Sequence, residues 1–226
     1  MRIGIIGAGF VGQAIAKLAA ANGHEVMISN SRGPDTLFSV RGALGCAAGT
    51  AEEAAVFGDL AVVAVPLKAY RSIPVLPLAG KIVIDTNNYY PERDGTIEEL
   101  DRQQTTTSEL LAAHLRQSRV VKAFNAIVMA DLSKDGRPSG ATDRRALPIA
   151  GDDADAKALV ARLYEEFGFD VADAGPLSEG WRFERARPAY CMWLNRAELE
   201  RMLAATTRDA FVEEGAWRKQ GMEVLP

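Results

Sequence analysis

Short apolar runs alternate with helical patterns along the first half of the chain. Residues 10–22 carry apolar side chains at helical spacing, and Gly23 directly after them is a typical C-terminal glycine. The run at residues 60–65 is apolar throughout and stops at Pro66, as expected of a buried parallel strand. Similar patterns predict strands at 2–7, 24–29, 81–85 and 120–124, and helices at 52–57 and 108–116. This alternation indicates βαβ units and a parallel sheet.

The second half of the chain resumes the pattern after an interruption. Residues 134–145 are polar and contain glycine and proline, which predicts an exposed loop. A strand at 146–150, a helix at 153–167 and a strand at 169–172 are predicted next, with Asp152 as the cap of the helix. A long helical pattern then covers residues 188–215. The whole pattern predicts an α/β fold that ends in a helical extension.

Composition and charge narrow the function classes. Apolar residues make up 48% of the chain and charged residues 25%, which is typical of a globular protein. The net charge of −4 gives no general attraction to nucleic acid or an anionic membrane. The cysteines, Cys46 and Cys191, and the histidines, His24 and His114, predict neither a disulfide framework nor a metal site. Because no signal peptide or bilayer-spanning stretch is recognisable, we expect a cytoplasmic protein without a membrane partner.

The strongest motif is a glycine fingerprint at the end of the first predicted strand and the start of the first helix. It comprises Gly7, Ala8, Gly9, Phe10, Val11 and Gly12. In dinucleotide-binding folds the first glycine permits a tight turn, the second lets a pyrophosphate approach the backbone, and the third lets the helix pack closely on the sheet. The N-terminus of the helix then offers its free N–H groups to the phosphates. The alternative is a glycine-rich turn without a ligand.

The end of the second predicted strand indicates which dinucleotide is bound. NAD-specific sites place an acidic residue here, on the ribose 2′-hydroxyl. This chain instead has Ser29, Asn30, Ser31 and Arg32. These side chains can donate hydrogen bonds to a 2′-phosphate, and arginine binds phosphate through its fork of donors. The stretch therefore favours NADP(H), the alternative being a polar surface turn.

Two further strand ends are candidates for the nicotinamide half of the cofactor site. Ligands of open α/β sheets lie beyond the carboxyl ends of the strands. The strand predicted at 60–65 ends at Ala64, Val65 and Pro66, and the strand predicted at 81–85 is followed by Asn87. Asn87 could bond the ribose or the carboxamide, but asparagine is equally common in turns.

Taken together, these residues resemble a known family. The chain is similar to the NADP oxidoreductases that use a deazaflavin coenzyme, F420, and to the related reductase domains of metal-reducing membrane proteins. The likeness is carried by the fingerprint and by residues 29–32, 120–127, 151–153 and 173–177. The resemblance implies a Rossmann fold with a doubly wound, mostly parallel sheet of about eight strands. It divides the chain into an NADP-binding domain at 1–178 and a C-terminal helical segment at 179–226.

The resemblance also implies where the chemistry takes place. Asn125, Ala126 and Ile127 follow the sixth strand and should lie close to the reacting nicotinamide, with Asn125 and Ile127 as the catalytic candidates. A cleft beside the C-terminal segment should accept a flat second ring, that of F420 or a flavin. Such proteins are typically homodimers that associate through their C-terminal helices. This chain departs from the family in having Asn125 where the deazaflavin enzymes have histidine.

Two other functions stay open at this stage. A dehydrogenase of small carbonyl compounds or hydroxyacids needs an acid–base residue, for which Lys122, Lys68 and His114 are the candidates. Alternatively, the chain could be an NADP(H)-binding sensor without turnover. Arginines cluster at Arg137, Arg144 and Arg145 in the predicted loop and at Arg182, Arg185 and Arg187 further on. They could receive an acidic group of the acceptor or simply form solvated surfaces.

Overall fold

The computed structural model describes residues 1–213, 215 and 216, and these form an α/β structure around one mixed sheet. Within that part of the chain the sheet has eight strands in the order β3-β2-β1-β4-β5-β6-β7-β8. The strands are β1 Arg2–Ile6, β2 Glu25–Ser29, β3 Ala47–Gly49, β4 Leu60–Val63, β5 Ile82–Asp85, β6 Arg119–Lys122, β7 Ala146–Gly151 and β8 Asp170–Asp173. This confirms the predicted Rossmann fold.

The helices cover both faces of the sheet. Among the described residues they are α1 Phe10–Ala21, α2 Phe38–Leu44, α3 Ala51–Phe57, α4 Pro91–Asp94, α5 Glu98–Asp101, α6 Thr107–His114, α7 Met129–Leu132, α8 Ala154–Glu166 and α9 Arg196–Ala205. 3-10 helices occur at Pro34–Leu37, Leu67–Ser72, Leu76–Leu78 and Leu177–Phe183. No helix in the described part of the chain combines the length and apolar character needed to cross a bilayer.

The sheet changes direction once. Strands β1 to β6 pair in parallel, whereas β7 runs antiparallel to β6, with Val121 opposite Gly151 and Lys122 opposite Ala150. Strand β8 then pairs in parallel with β7 through the α8 crossover. Because parallel strands meet at one edge, the residues that follow β1, β2, β4, β5 and β6 are brought together there.

The C-terminal segment is less helical than the sequence predicts. The prediction of a long helix at 188–215 is wrong. Of the described residues in that stretch, only Arg196–Ala205 form a helix. Asn195 begins that helix with a reciprocal capping box to Glu198. Before it, Cys191 has a φ of 59°, which a continuous helix cannot accommodate. The predicted domain at 179–226 lies outside the described residues at 214 and from 217 onward.

Two local predictions in the second half are also corrected. Asp153, not Asp152, caps α8, while Asp152 accepts a hydrogen bond from the N–H of Leu177. Arg144 and Arg145 are buried rather than exposed in the loop. Arg144 pairs with Glu165 and Asp170, and Arg145 pairs with Asp131 and Asp135. These arginines therefore anchor the loop through ion pairs and are not available to bind an acidic ligand.

Candidate functional site

A cavity lies at the carboxyl ends of β1, β2 and β4, where the sequence places the nucleotide. Its volume is about 360 Å³. The predicted site residues among its walls are Gly7, Ala8, Gly9, Asn30, Ser31, Arg32, Ala64, Val65 and Pro66. The structure therefore brings three separate predicted stretches to one cavity, which we call the nucleotide cavity.

Glycine is required at two positions of the fingerprint. Gly7 has a φ of +117°, and a Cβ there would lie 2.1 Å from the carbonyl oxygen of Ala64. A Cβ on Gly12 would lie 2.0 Å from the carbonyl oxygen of Gly7. Because backbone atoms cannot yield by that much, any larger residue would displace α1 from the sheet. The roles predicted for these two glycines therefore agree with the local geometry.

The start of α1 is open to a ligand. Gly9 is the N-cap, and no side chain of the described residues accepts a hydrogen bond from the first turn. The free N–H groups and the positive end of the helix dipole thus lie beside the nucleotide cavity. Phe10 is 73% exposed, and Val11 is half-buried against the main core. Neither side chain lines the cavity, so these two residues could contact a nucleotide only through their backbone groups.

The stretch after β2 combines a local turn with a free cation. The Asn30 Oδ1 accepts from the N–H of Arg32 at 3.0 Å, and its Nδ2 donates to the Thr36 hydroxyl at 2.9 Å. Asn30 therefore shapes the turn. The exposed guanidinium of Arg32 has no hydrogen-bond or ion-pair partner among the described residues. None of the described residues that line the cavity is acidic, so the site would accept a 2′-phosphate.

A second group of predicted residues lies at the ends of β5 and β6. The Asn88 Nδ2 donates to the carbonyl oxygen of Asn125 at 2.9 Å, and the Asn125 Nδ2 donates to the Asn88 Oδ1 and to the carbonyl oxygen of Phe183. Asn87 is only 3% exposed, yet among the described residues its side-chain amide nitrogen and oxygen have no hydrogen-bond partner, and neither does the Asn125 Oδ1. Unpaired buried amides are costly and commonly mark a missing ligand or water.

The backbone just before Asn125 is strained. Phe124 has a φ of 60°, a conformation that a bulky residue rarely adopts, and its N–H donates to the Tyr164 hydroxyl at 2.7 Å. Ala126 and Ile127 are buried in hydrophobic clusters and do not line the nucleotide cavity. The structure therefore does not place the Ile127 side chain at an open wall, because it packs in the main core. Its catalytic role stays a prediction, as does that of Asn125.

Lys122 lies beneath these asparagines and is fully buried. Its ammonium donates to the carbonyl oxygen of Asn87 at 3.1 Å and to the hydroxyls of Thr107 at 2.6 Å and Ser108 at 3.3 Å. It also lies 3.4 Å from the Glu184 carboxylate. A lysine held in this way supports the strand ends and is not presented to a substrate.

Asp85 completes this buried network. Its carboxylate accepts from the Ser108 hydroxyl at 2.5 Å and from the N–H of Asn87 at 3.0 Å. Burial raises the pKa of Asp85, whereas the Lys122 charge and the hydrogen bond from Ser108 oppose that rise. The sequence patterns did not indicate a role at the site for Ser108, Thr107 or Glu184. The capping box of Thr106 and Glu109 could have indicated the positions of the Thr107 and Ser108 hydroxyls, because it fixes the start of α6 beside the strand ends.

Comparisons with known proteins agree with this geometry. The sequence profile of the family described as NADP oxidoreductase, coenzyme F420-dependent, matches residues 2–89. Every residue that lines the nucleotide cavity lies within that stretch. The crystal structure of the hypothetical protein SMa0349 from Sinorhizobium meliloti is 31% identical, with 86% of this chain and 95% of that chain covered and a TM-score of 0.74.

A second structure supplies a functional description. It is a "putative F420 dependent NADP-reductase" from Arthrobacter sp. FB24, which is 27% identical over 78% of this chain and 85% of that chain, with a TM-score of 0.68. The chain belongs to the coenzyme F420-dependent NADP oxidoreductase family. By family it is thus an NADP-dependent oxidoreductase, and NADP(H) in the nucleotide cavity fits that membership.

One curated protein is related over a shorter stretch. YjhV of Escherichia coli K12 is 35% identical over 54 residues, which are 24% of this chain. The match spans 39% of the length of YjhV. The family profile likewise stops at residue 89, before Lys122 and Asn125. The nucleotide cavity therefore lies within the stretch that the family profile matches. The structures from Sinorhizobium meliloti and Arthrobacter sp. FB24 extend the similarity beyond residue 89, because they cover 86% and 78% of this chain.

The unpaired amide of Asn87 leads to a first test. Replacing Asn87 with alanine should weaken NADP(H) binding or lower turnover by about tenfold, because the loss of one well-placed hydrogen bond costs about 1 kcal/mol or more. The free energy of unfolding of the ligand-free protein should change little, since the side-chain amide of Asn87 makes no hydrogen bond to any described residue. Thermal unfolding with and without NADP(H) measures both effects. A large loss of stability in the ligand-free protein would show that the amide is structural.

Proposed function

We propose that this protein transfers hydride between NADP(H) and a flavin or a deazaflavin such as F420. The observation that carries the proposal is the chemistry of the nucleotide cavity. Its described walls are small or apolar residues, serines, Asn30 and Arg32, with no histidine, lysine or carboxylate among them. Such a cavity can bind and orient a cofactor, but it offers no evident side chain for protonating a substrate oxygen.

Hydride transfer to a flavin-like ring has few requirements. The nicotinamide C4 must come near van der Waals contact with the accepting atom, and the two rings must be aligned. The bound cofactor supplies the reactive hydride. The chain's contribution would be to hold the pyrophosphate at the start of α1, the 2′-phosphate at Arg32, and the nicotinamide end beside Asn87. Proximity and orientation then account for the rate acceleration.

The competing dehydrogenase function lacks its acid in this arrangement. Lys122 was its best candidate, and its ammonium is fully buried and bonded to three oxygen acceptors. The exposed Lys68 does not line the nucleotide cavity, and the His114 Nε2 is engaged with the carbonyl oxygen of Ile73 at 2.9 Å. These contacts favour a reaction that needs no side-chain proton.

The proposal is tested by following NADPH oxidation with a panel of acceptors. We expect turnover with FMN, riboflavin or F420 and none with small aldehydes, ketones or imines. Turnover only with a carbonyl or imine substrate would overturn the proposal and restore the dehydrogenase function. Tight binding of NADPH without oxidation by any acceptor would instead support a sensor. NADPH binding is measured in parallel, so that an inactive preparation is recognised.

A further inference from the structure

A second cavity lies next to the ends of β5 and β6, apart from the nucleotide cavity. Its volume is about 250 Å³. Three arginines and three aromatic residues stand out among its walls: Arg185, Arg187, Arg208, Tyr89, Trp181 and Phe211. None of its lining residues is shared with the nucleotide cavity. We call it the arginine cavity.

Arg187 is the most unusual group in this cavity. It is only 6% exposed, and its Nη1 donates to the carbonyl oxygens of Arg208 at 2.7 Å and Ala210 at 3.1 Å. Among the described residues, neither Arg187 nor Arg208 lies within ion-pair distance of a carboxylate. Burial, and secondarily the charge of Arg208, lower the pKa of Arg187, while Glu184 raises it. A buried cation beside a second one is costly unless an anion joins them.

The two carboxylates of the cavity are engaged by other donors. Asp101 accepts from the Tyr89 hydroxyl at 3.0 Å. Glu184 accepts from the Thr107 hydroxyl at 2.7 Å and lies 3.4 Å from the Lys122 ammonium. Because these acids already have partners, the positive charge of Arg187 and Arg208 is not fully compensated by the cavity itself.

Trp181 provides an independent observation. It is 5% exposed, and its indole Nε1 has no hydrogen-bond partner among the described residues. The guanidinium carbons of Arg208 and Arg187 lie 4.5 and 5.2 Å from the centre of its ring. A buried N–H donor is normally paired, so an unpaired one on the wall of a cavity indicates that an acceptor is missing.

We propose that the arginine cavity is a binding site for an oxyanion, a carboxylate or a phosphate group. Arg187 and Arg208 would supply charge-assisted hydrogen bonds and Trp181 a neutral donor. The anion comes either from a free small molecule or from the hydride acceptor, and the second source rests on the proposed function. The cavity lies close to Asn125, which allows the hydride acceptor to be the source. Its lining residue Tyr89 directly follows Asn88, which is hydrogen-bonded to Asn125. Its lining residue Glu184 directly follows Phe183, whose carbonyl oxygen accepts a hydrogen bond from the Asn125 side chain.

The first experiment tests the site without any turnover. The full chain is saturated with NADP⁺, which fills the nucleotide cavity, and titrated with inorganic phosphate at constant ionic strength. The indole Nε1–H resonance of Trp181, assigned by its loss in Trp181→Phe, is followed by nuclear magnetic resonance. We expect a saturable shift. Absence of a saturable shift, or the same shift with added chloride, would overturn the proposal.

Matched variants identify the groups that bind the anion. Arg208 is exposed and its replacement by glutamine should leave the fold intact, whereas Arg187→Gln tests the buried cation. Each variant should weaken phosphate binding by about tenfold, the effect of one charge-assisted hydrogen bond. Arg182→Gln is the control, because Arg182 also lies against the Trp181 ring, at 4.6 Å, but does not line the cavity. Equal weakening in the control and in Arg208→Gln would contradict the proposal.

A second arm distinguishes the two sources of the anion. FMN carries a phosphate that riboflavin lacks, and the binding of both to the NADP⁺ complex is measured at equilibrium. If the acceptor supplies the anion, FMN should bind about tenfold more tightly than riboflavin, and Arg208→Gln should remove that difference. Equal binding together with a saturable phosphate shift would assign the site to a free anion. If neither flavin binds, the acceptor proposal fails while the phosphate titration still tests the cavity.

Discussion

Replacing Lys122 with alanine is expected to lower the free energy of unfolding by about 3–5 kcal/mol, because it leaves buried charges without their partner. Lys122 is fully buried, and its ammonium contacts Thr107, Ser108 and Glu184. Burial raises the pKa of Asp85, and the charge of Lys122 limits that rise. Denaturant unfolding measures the loss. Lys68→Ala, which removes an exposed lysine, is the control and should change stability by no more than about 0.5 kcal/mol.

The pH dependence of this loss identifies its cause. Burial raises the pKa of Asp85, and the pKa should rise further once the Lys122 charge is removed. A carboxyl whose pKa is raised in the folded state stabilises the fold at low pH. That stabilisation is lost as the pH rises through the pKa of the carboxyl in the folded state. The stability difference between Lys122→Ala and the parent should therefore grow from acidic to neutral pH. Adding Asp85→Asn should recover part of the loss, and a difference that is constant with pH would contradict this explanation.

The second large effect is expected from Arg32. Replacing it with alanine should weaken NADPH binding by about 10- to 100-fold, because a hydrogen bond to a charged group is worth about 1.5–3 kcal/mol. NADH binding should change little, since NADH lacks the 2′-phosphate. Fluorescence titrations with both cofactors provide the comparison. Arg41→Ala is the matched control, because Arg41 is exposed on α2 and does not line the nucleotide cavity. An equal loss for NADPH and NADH would mean that Arg32 does not contact the 2′-phosphate.

Local patterns in the sequence were sufficient to predict which strand ends meet at the nucleotide cavity. Apolar runs predicted every strand of the sheet except β3, and residues that follow successive parallel strands must meet at one edge. Gly7, Arg32 and Pro66 could therefore be assigned to one cavity without knowledge of any side-chain contact. The eight-stranded sheet followed from the family resemblance, and the family profile also covers this nucleotide region.

The second half of the site depends on contacts between distant residues and could not be predicted in this way. Alternation along β6 does not reveal that Lys122 contacts hydroxyls of α6 and the carboxylate of Glu184, which lies 62 residues later in the chain. The pairing of Arg145 with Asp131 and Asp135 also depends on tertiary contacts, so the polar composition of the loop could not reveal that this arginine is buried. The turn at Cys191 interrupted a helical pattern that hydrophobic spacing alone supported.

Transfer of deuterium from labelled NADPH tests the central proposal most directly. NADPH carrying deuterium at the transferred position of C4 is mixed with the protein and a deazaflavin, and the reduced deazaflavin is analysed by mass spectrometry. Because the accepting position of a deazaflavin is a carbon, the transferred hydrogen is retained in the product. We expect one deuterium in the reduced deazaflavin and loss of this transfer when the protein is omitted. Oxidation of NADPH without deuterium in the product, or no oxidation by a protein shown to bind NADPH, would contradict hydride transfer to such a ring.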